Sequence, residues 1–112
     1  MAASVRERLE HILEATANIR TLLAGKTIEN LRAEPFTRAA LERFIEIISE
    51  ASRHLPPELK DKHPQIAWVD IANIGNRLRH GYDKVDEGIL WDVFAFDIDA
   101  LDQAVTQMKD EI

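Results

Sequence analysis

The chain has 112 residues, 46% hydrophobic and 30% charged, with a formal net charge of −6 at neutral pH and no cysteine. That length predicts one domain over residues 1–112 with a modest core, and the composition excludes a disordered or membrane chain. Disulfides, thiolate metal sites and a cysteine nucleophile are excluded too. Met1-Ala2-Ala3-Ser4 leads straight into the charged Val5-Arg6-Glu7-Arg8, so neither a signal peptide nor a membrane span is expected and a cytoplasmic location is. The charge is unevenly spread. Residues 1–52 carry a net −1, residues 53–84 a net +2 and residues 85–112 a net −7.

Val5, Leu9, Ile12, Ile19 and Leu22 recur at helical spacing, which predicts an amphipathic helix from Ser4 to Ala24 with Ser4 as its cap and Gly25 at its end. A short helix over Ile28 to Ala33 follows, with Thr27 as its cap and Asn30 in the place of a capping-box glutamate, before Pro35 breaks the chain. A second long helix starts near Thr37, puts Leu41, Phe44, Ile45, Ile48 and Ala51 on one face, and stops before Leu55-Pro56-Pro57. His54 to Pro64 reads as a loop with one helical turn at Glu58 to Lys60. Pro64 suits the first turn of a third long helix, whose buried side would be Ile66, Trp68, Val69, Ala72 and Leu78, with Gly81 as its end. After a link at Asp83 to Asp86, Asp86 caps a last helix running from Ile89 to Met108 with a bend near Asp97-Ile98-Asp99. No strand-like alternation or internal repeat is present. The fold class is all-α, an antiparallel up-and-down bundle of four to five helices. Trp68, Trp91, Phe94 and Phe96 are expected to fill the core or an interface.

The end of the third long helix, Ile74-Gly75-Asn76-Arg77-Leu78-Arg79-His80-Gly81-Tyr82, gives up apolar spacing for polar groups. Asn76 and His80 are four apart and Arg77 and His80 three apart, so these three share one face while Arg79 points elsewhere. An imidazole exchanges protons near neutrality, and a guanidinium can grip a phosphate with paired hydrogen bonds. Together they fit metal-free cleavage of an RNA backbone, with a second histidine supplied by a symmetric dimer. Composition alone favours a plainer reading, in which Arg77, Arg79 and His80 merely complement the negative end of a helix dipole.

Glu50-Ala51, Leu55-Pro56-Pro57-Glu58-Leu59, Pro64 to Trp68, Asn76 through Asp86 and Ile89-Leu90-Trp91 resemble the HepT-like ribonucleases of the HEPN superfamily, from the first helix to the last. The resemblance implies a HEPN-like helical homodimer that acts as a metal-independent endoribonuclease toxin, needs no cofactor, and faces two copies of its motif across a shared cleft. It also implies a partner, a small MntA-type nucleotidyltransferase antitoxin that silences the toxin by adding AMP to the motif tyrosine. By position, Asn76 matches the family's polar residue, His80 its catalytic histidine and Tyr82 its modified tyrosine. One departure stands out: five residues before His80, where the motif has arginine, this chain has Gly75. Arg77, on the same face as His80, is the substitute, with Arg79 and Glu50 in support, Glu50 by fixing Arg77 or His80. The alternative is a HEPN dimer with weak or silent chemistry, serving as a binding module for the nucleotidyltransferase or for a nucleotide. RNA is the expected substrate, and no DNA or membrane partner is expected. His11, His54 and His63 lack ligand spacing and read as surface residues, so no metal site is expected. The acidic run from Asp97 to Glu111 reads as a solvated face.

Overall fold

The computed structural model describes residues 3–81 and 85–112. Those residues form α1 (Val5–Leu23), α2 (Ile28–Ala33), α3 (Pro35–Arg53), α4 (Pro57–Asp61), α5 (Trp68–His80), α6 (Glu87–Asp92), a π-helical turn (Val93–Asp97) and α7 (Ile98–Glu111), with no strand among them. The expected long helices are α1, α3, α5 and the unit formed by α6, the π turn and α7. No described helix is long and apolar enough to cross a membrane.

Cross-helix pairs set the directions. Arg20, late in α1, pairs with Asp99 at 2.7 Å and with Asp102, both early in α7, while Glu10, early in α1, pairs with Lys109, late in α7, at 3.7 Å. Those two helices therefore run antiparallel. In space α3 packs between α1 and α5, and α7 lies on the other flank of α1. The core lies along this row, with Leu9, Ile12 and Ile19 of α1, Leu41 and Ile45 of α3, and Leu101, Val105 and Met108 of α7 all buried. Each such side chain contributes about 1.5–3 kcal/mol by leaving water. The local signals act as expected. Ser4 and Glu7 form a reciprocal capping box, Thr27 and Asn30 another, and the Asp86 side chain accepts from Ile89 N at 2.9 Å.

Several expectations need correction. α3 begins at Pro35 rather than Thr37, since a proline at the first helical position has no amide hydrogen to leave unpaired. α5 begins at Trp68 rather than Pro64, because His63 and Ile66 both turn into the core just before it. His63 is not on the surface. It is 3% exposed, its Nε2 lies 3.1 Å from Glu111, and its carbonyl accepts from Trp68 Nε1 at 3.1 Å. Val69, expected inside, is 72% exposed, because it sits two turns before Asn76 and so on the same outward face. Phe96 is 76% exposed and fills no part of the core, whereas Trp68, Trp91 and Phe94 are half-buried against it. Arg38 of α3 ties down the segment that follows the motif, donating to Glu87 at 2.6 Å and to the Val85 carbonyl.

Burial outweighs ion pairing at the α1–α7 seam. Ile19→Ala should cost about 2–5 kcal/mol by leaving a cavity, while the neighbouring Arg20→Gln, which removes a partly exposed pair, should cost about 1 kcal/mol or less. Urea denaturation of the two variants measures the difference, and equal losses would contradict this ranking.

Candidate active site

α5 has two working faces. Ala72, Gly75 and Leu78 turn toward the bundle, and Asn73, Asn76, Arg77 and His80 form an exposed polar stripe, at the spacings of one helix face. At Gly75, α5 comes close to α3. A Cβ built there would lie 2.0 Å from Ser49 Oγ and 2.5 Å from Ser49 Cβ, and the same Ser49 hydroxyl donates to the Ala72 carbonyl at 3.1 Å. The position five before His80 is thus an inward, close-packed one. An arginine could stand there only if the two helices moved apart.

The polar cluster assembles across the same contact. Asn76 Oδ1 accepts from Arg79 Nη2 at 2.6 Å and from Arg53 Nη1 at 3.3 Å. Glu50 of α3 lies 3.9 Å from Arg79 and 4.0 Å from Arg53, and it meets His54 Nε2 at 2.9 Å. Arg79 points away from Arg77, as its sequence position suggested, yet it still joins the cluster. Three residues on from Asn76, it returns to the same side of the helix and becomes the arginine bonded to it. Glu50 does reach the patch, but through Arg79 rather than Arg77 or His80. The hydrogen bond with His54, and then the positive charge of His54, Arg53 and Arg79, hold its carboxyl below the usual range. It therefore stays anionic beside Arg79. Arg53, His54 and Asn73 were missed. The Glu50/His54 spacing of four and the basic last turn of α3 were the available signals.

Arg77 faces another way, into a groove of about 580 Å³ between α5, α3, the π turn and α7. Ile45, Ile48, Ile74 and Leu101 give it an apolar floor, and Asp70, Asp92, Asp97 and Phe96 belong to its wall. Burial first, and then the like charges of Asp92 and Asp70, push the Asp97 carboxyl above its ordinary value. Arg77 and Arg79 thus serve opposite sides of one helix end. His80 is exposed as the last residue of α5, where the Gly81 amide donates to the Arg77 carbonyl at 2.7 Å and closes the helix. Tyr82 lies outside the described residues. Among the described residues no group of three His, Asp or Glu side chains is placed to hold a metal ion. The stripe offers an imidazole for proton transfer, an amide for positioning, and a guanidinium at the mouth of a groove.

Two substitutions test this geometry. Gly75→Ala should lower stability by about 1–3 kcal/mol through overpacking against Ser49, read as a lower denaturation midpoint, and an unchanged midpoint would contradict the close contact. Asp97 has a raised folded value, so at pH above both of its values ionisation penalises the native state. That penalty is relieved as pH falls through the folded value and is gone below the unfolded one, about 3.9. Asp97→Asn should therefore raise the melting temperature at pH 7 and lose that advantage near pH 3, as followed by circular dichroism.

Residues 12–108, from the middle of α1 to the last turns of α7, match the family model described as Ribonuclease HepT-like. Over 103 residues the chain is 32% identical to "Putative RNase TTE0752" of Caldanaerobacter subterraneus subsp. tengcongensis, covering 92% of each. It is 35% identical over 101 residues to "Probable ribonuclease HepT" of Thermococcus cleftensis, covering 90% of this chain and 92% of that one. Over 112 residues it is 33% identical to "Gamma-glutamylcyclotransferase and putative RNase MJ0434" of Methanocaldococcus jannaschii, covering all of this chain and 50% of that one. No solved structure matches. With an all-helical bundle, a polar helix end and a match over almost its whole length, the chain belongs to the HepT-like ribonuclease family.

Proposed function

We propose that this protein is a metal-independent endoribonuclease, the toxin subunit of a toxin–antitoxin pair, that cuts RNA at a cleft between two copies of itself. The observation that carries this reading is the exposed stripe of Asn76, Arg77 and His80 at the end of α5, in a chain of this family. In the proposed reaction one His80 takes the proton of a ribose 2′-OH. The 2′ oxygen then bonds to the adjacent phosphorus as the bond from phosphorus to the 5′ oxygen breaks. The partner's His80, protonated at the start, gives its proton to that leaving oxygen. The products are a 2′,3′-cyclic phosphate and a 5′-hydroxyl, and the two histidines have exchanged protonation states. Arg77 balances the charge that builds on the phosphoryl oxygens, and Asn76 positions the strand.

The dimer face in this proposal is the groove beside Arg77. Phe96, a large exposed apolar group, lines this groove, Val69 is exposed at the start of α5, and a two-fold contact would cover them. A small nucleotidyltransferase partner would silence the pair by placing AMP on Tyr82, adding bulk and negative charge two residues from His80.

Gly75 favours a second reading, a HEPN dimer without nuclease chemistry that binds the nucleotidyltransferase or a nucleotide, since the motif arginine has no room at that position. One assay separates the two. The purified protein is incubated with RNA in excess chelator beside His80→Ala and Phe96→Glu forms, and the mass of each form is read by light scattering. Cutting by the wild type, a loss of at least about 10²-fold in His80→Ala, and a monomeric, inactive Phe96→Glu are expected. Equal cutting by wild type and His80→Ala, or none by either, defeats the nuclease reading.

A further inference from the structure

Another concavity lies on the opposite side of α3. It is a depression of about 320 Å³ that reaches from Arg79 on α5 across Glu46, Ile47 and Glu50 of α3 to Arg8 and His11 of α1, with Arg43 on its rim. It therefore spans two interhelical spacings of about 8–10 Å each. Its two carboxylates are already engaged, Glu46 with Arg43 at 3.6 Å and Glu50 with His54, Arg53 and Arg79. Three guanidiniums against two carboxylates leave it positive in a chain whose net charge is −6.

We infer that this depression is a second RNA subsite, which holds the phosphates of the strand leaving the cleavage centre and leads them from Arg79 over α3 to Arg43 and Arg8. The inference rests on the ribonuclease reading above and adds the path of the substrate to it. A polyanion at His80 has two directions in which to run. On the Arg77 side it meets Asp70, Asp92 and Asp97, which border the C-terminal stretch of residues 85–112 with its net charge of −7. On the Arg79 side it meets cations on three successive helices. Like charges at contact cost more than any sequence-independent strand contact returns, so electrostatics steers the strand to the second path. Arg79 starts that path because it is adjacent to His80 in the chain yet held on the α3 side by Asn76 and Glu50. Ile47 and Ala51 offer an apolar floor between the cations on which a base could rest.

The test measures fluorescence anisotropy of a labelled single-stranded 12-nucleotide RNA against the full-length His80→Ala protein, so that nothing is cut, over a range of salt. Adding Arg8→Gln and Arg43→Gln together should weaken binding at least about tenfold and flatten the salt dependence by about 1.4 in slope, the share of two lost phosphate contacts on a single strand. Arg8→Lys with Arg43→Lys should restore most of both. Arg6→Gln, an exposed cation of α1 outside the depression, should change affinity less than twofold. Unchanged affinity and slope in the double glutamine variant overturns the inference, and so does an equal loss in Arg6→Gln, which would mark a mere net-charge effect. If the wild type cuts RNA while the double variant binds normally, only the subsite fails. If the wild type neither cuts nor binds RNA, the ribonuclease reading fails and the subsite with it. Matching melting curves for all variants exclude loss of fold as the cause.

Discussion

The close approach of α3 and α5 at Ser49 and Gly75 is the constraint from which the arrangement of the helix end follows. With no Cβ on Gly75, the Ser49 hydroxyl reaches the Ala72 carbonyl and the two helices lie closer than any side chain would permit. That contact fixes the rotation of α5 about its own axis. Once Gly75 faces α3, the 100° step per residue of a helix sends Asn76, Arg77 and His80 outward and returns Arg79 to the α3 side. The same rotation brings the last turn of α3, with Glu50, Arg53 and His54, beside Asn76. A larger residue at position 75 would act first on this rotation, and through it on every polar group of the cluster.

Much of this was legible in the residues, and the reasons divide cleanly. Helix existence and caps are local, so Ser4, Thr27 and Asp86 announce them through hydrogen bonds that span three residues. Core membership follows from periodicity wherever a helix packs on both flanks, as α1 does. The failures are positions where distant groups decide. His63 looks like a surface histidine until Glu111, 48 residues on, lies against it. Val69 fits the apolar pattern of α5, but the helix starts four residues late and its outward stripe runs through that position. Phe96, expected in the core or at an interface, is kept from the core by a π turn, where the extra residue per turn breaks the phase that a uniform helix would predict.

Asn76, Arg77 and His80 are all exposed on α5, and its two arginines have different surroundings. Spacing assigns residues to a face of the helix, and it does not say what stands opposite. Arg79 is captured because Glu50 and Asn76 lie within its reach across the α3 contact. Arg77 is directed into a groove whose acidic wall comes from α5, α6 and the π turn together. No local pattern joins Asp70 to Asp92 and Asp97. They border one groove because α5, α6 and the π turn each line it, which is a tertiary fact.

Gly75 also changes how the departure from the family pattern is understood. If the residue at that position had faced solvent, its replacement by glycine would be a simple loss of a cation from the site. It faces Ser49 instead, so an arginine at position 75 is incompatible with the tight packing of α5 on α3. The contact that leaves no room for an arginine at position 75 also sets Arg77 on the exposed face with His80, two residues nearer the helix end. A cation three residues from the imidazole lies beside it on the same stripe, where a charge at a buried position would have been costly to desolvate. On the proposed reading, in which Arg77 supplies the cation, the positive charge stays at this helix end beside the groove that Arg77 lines.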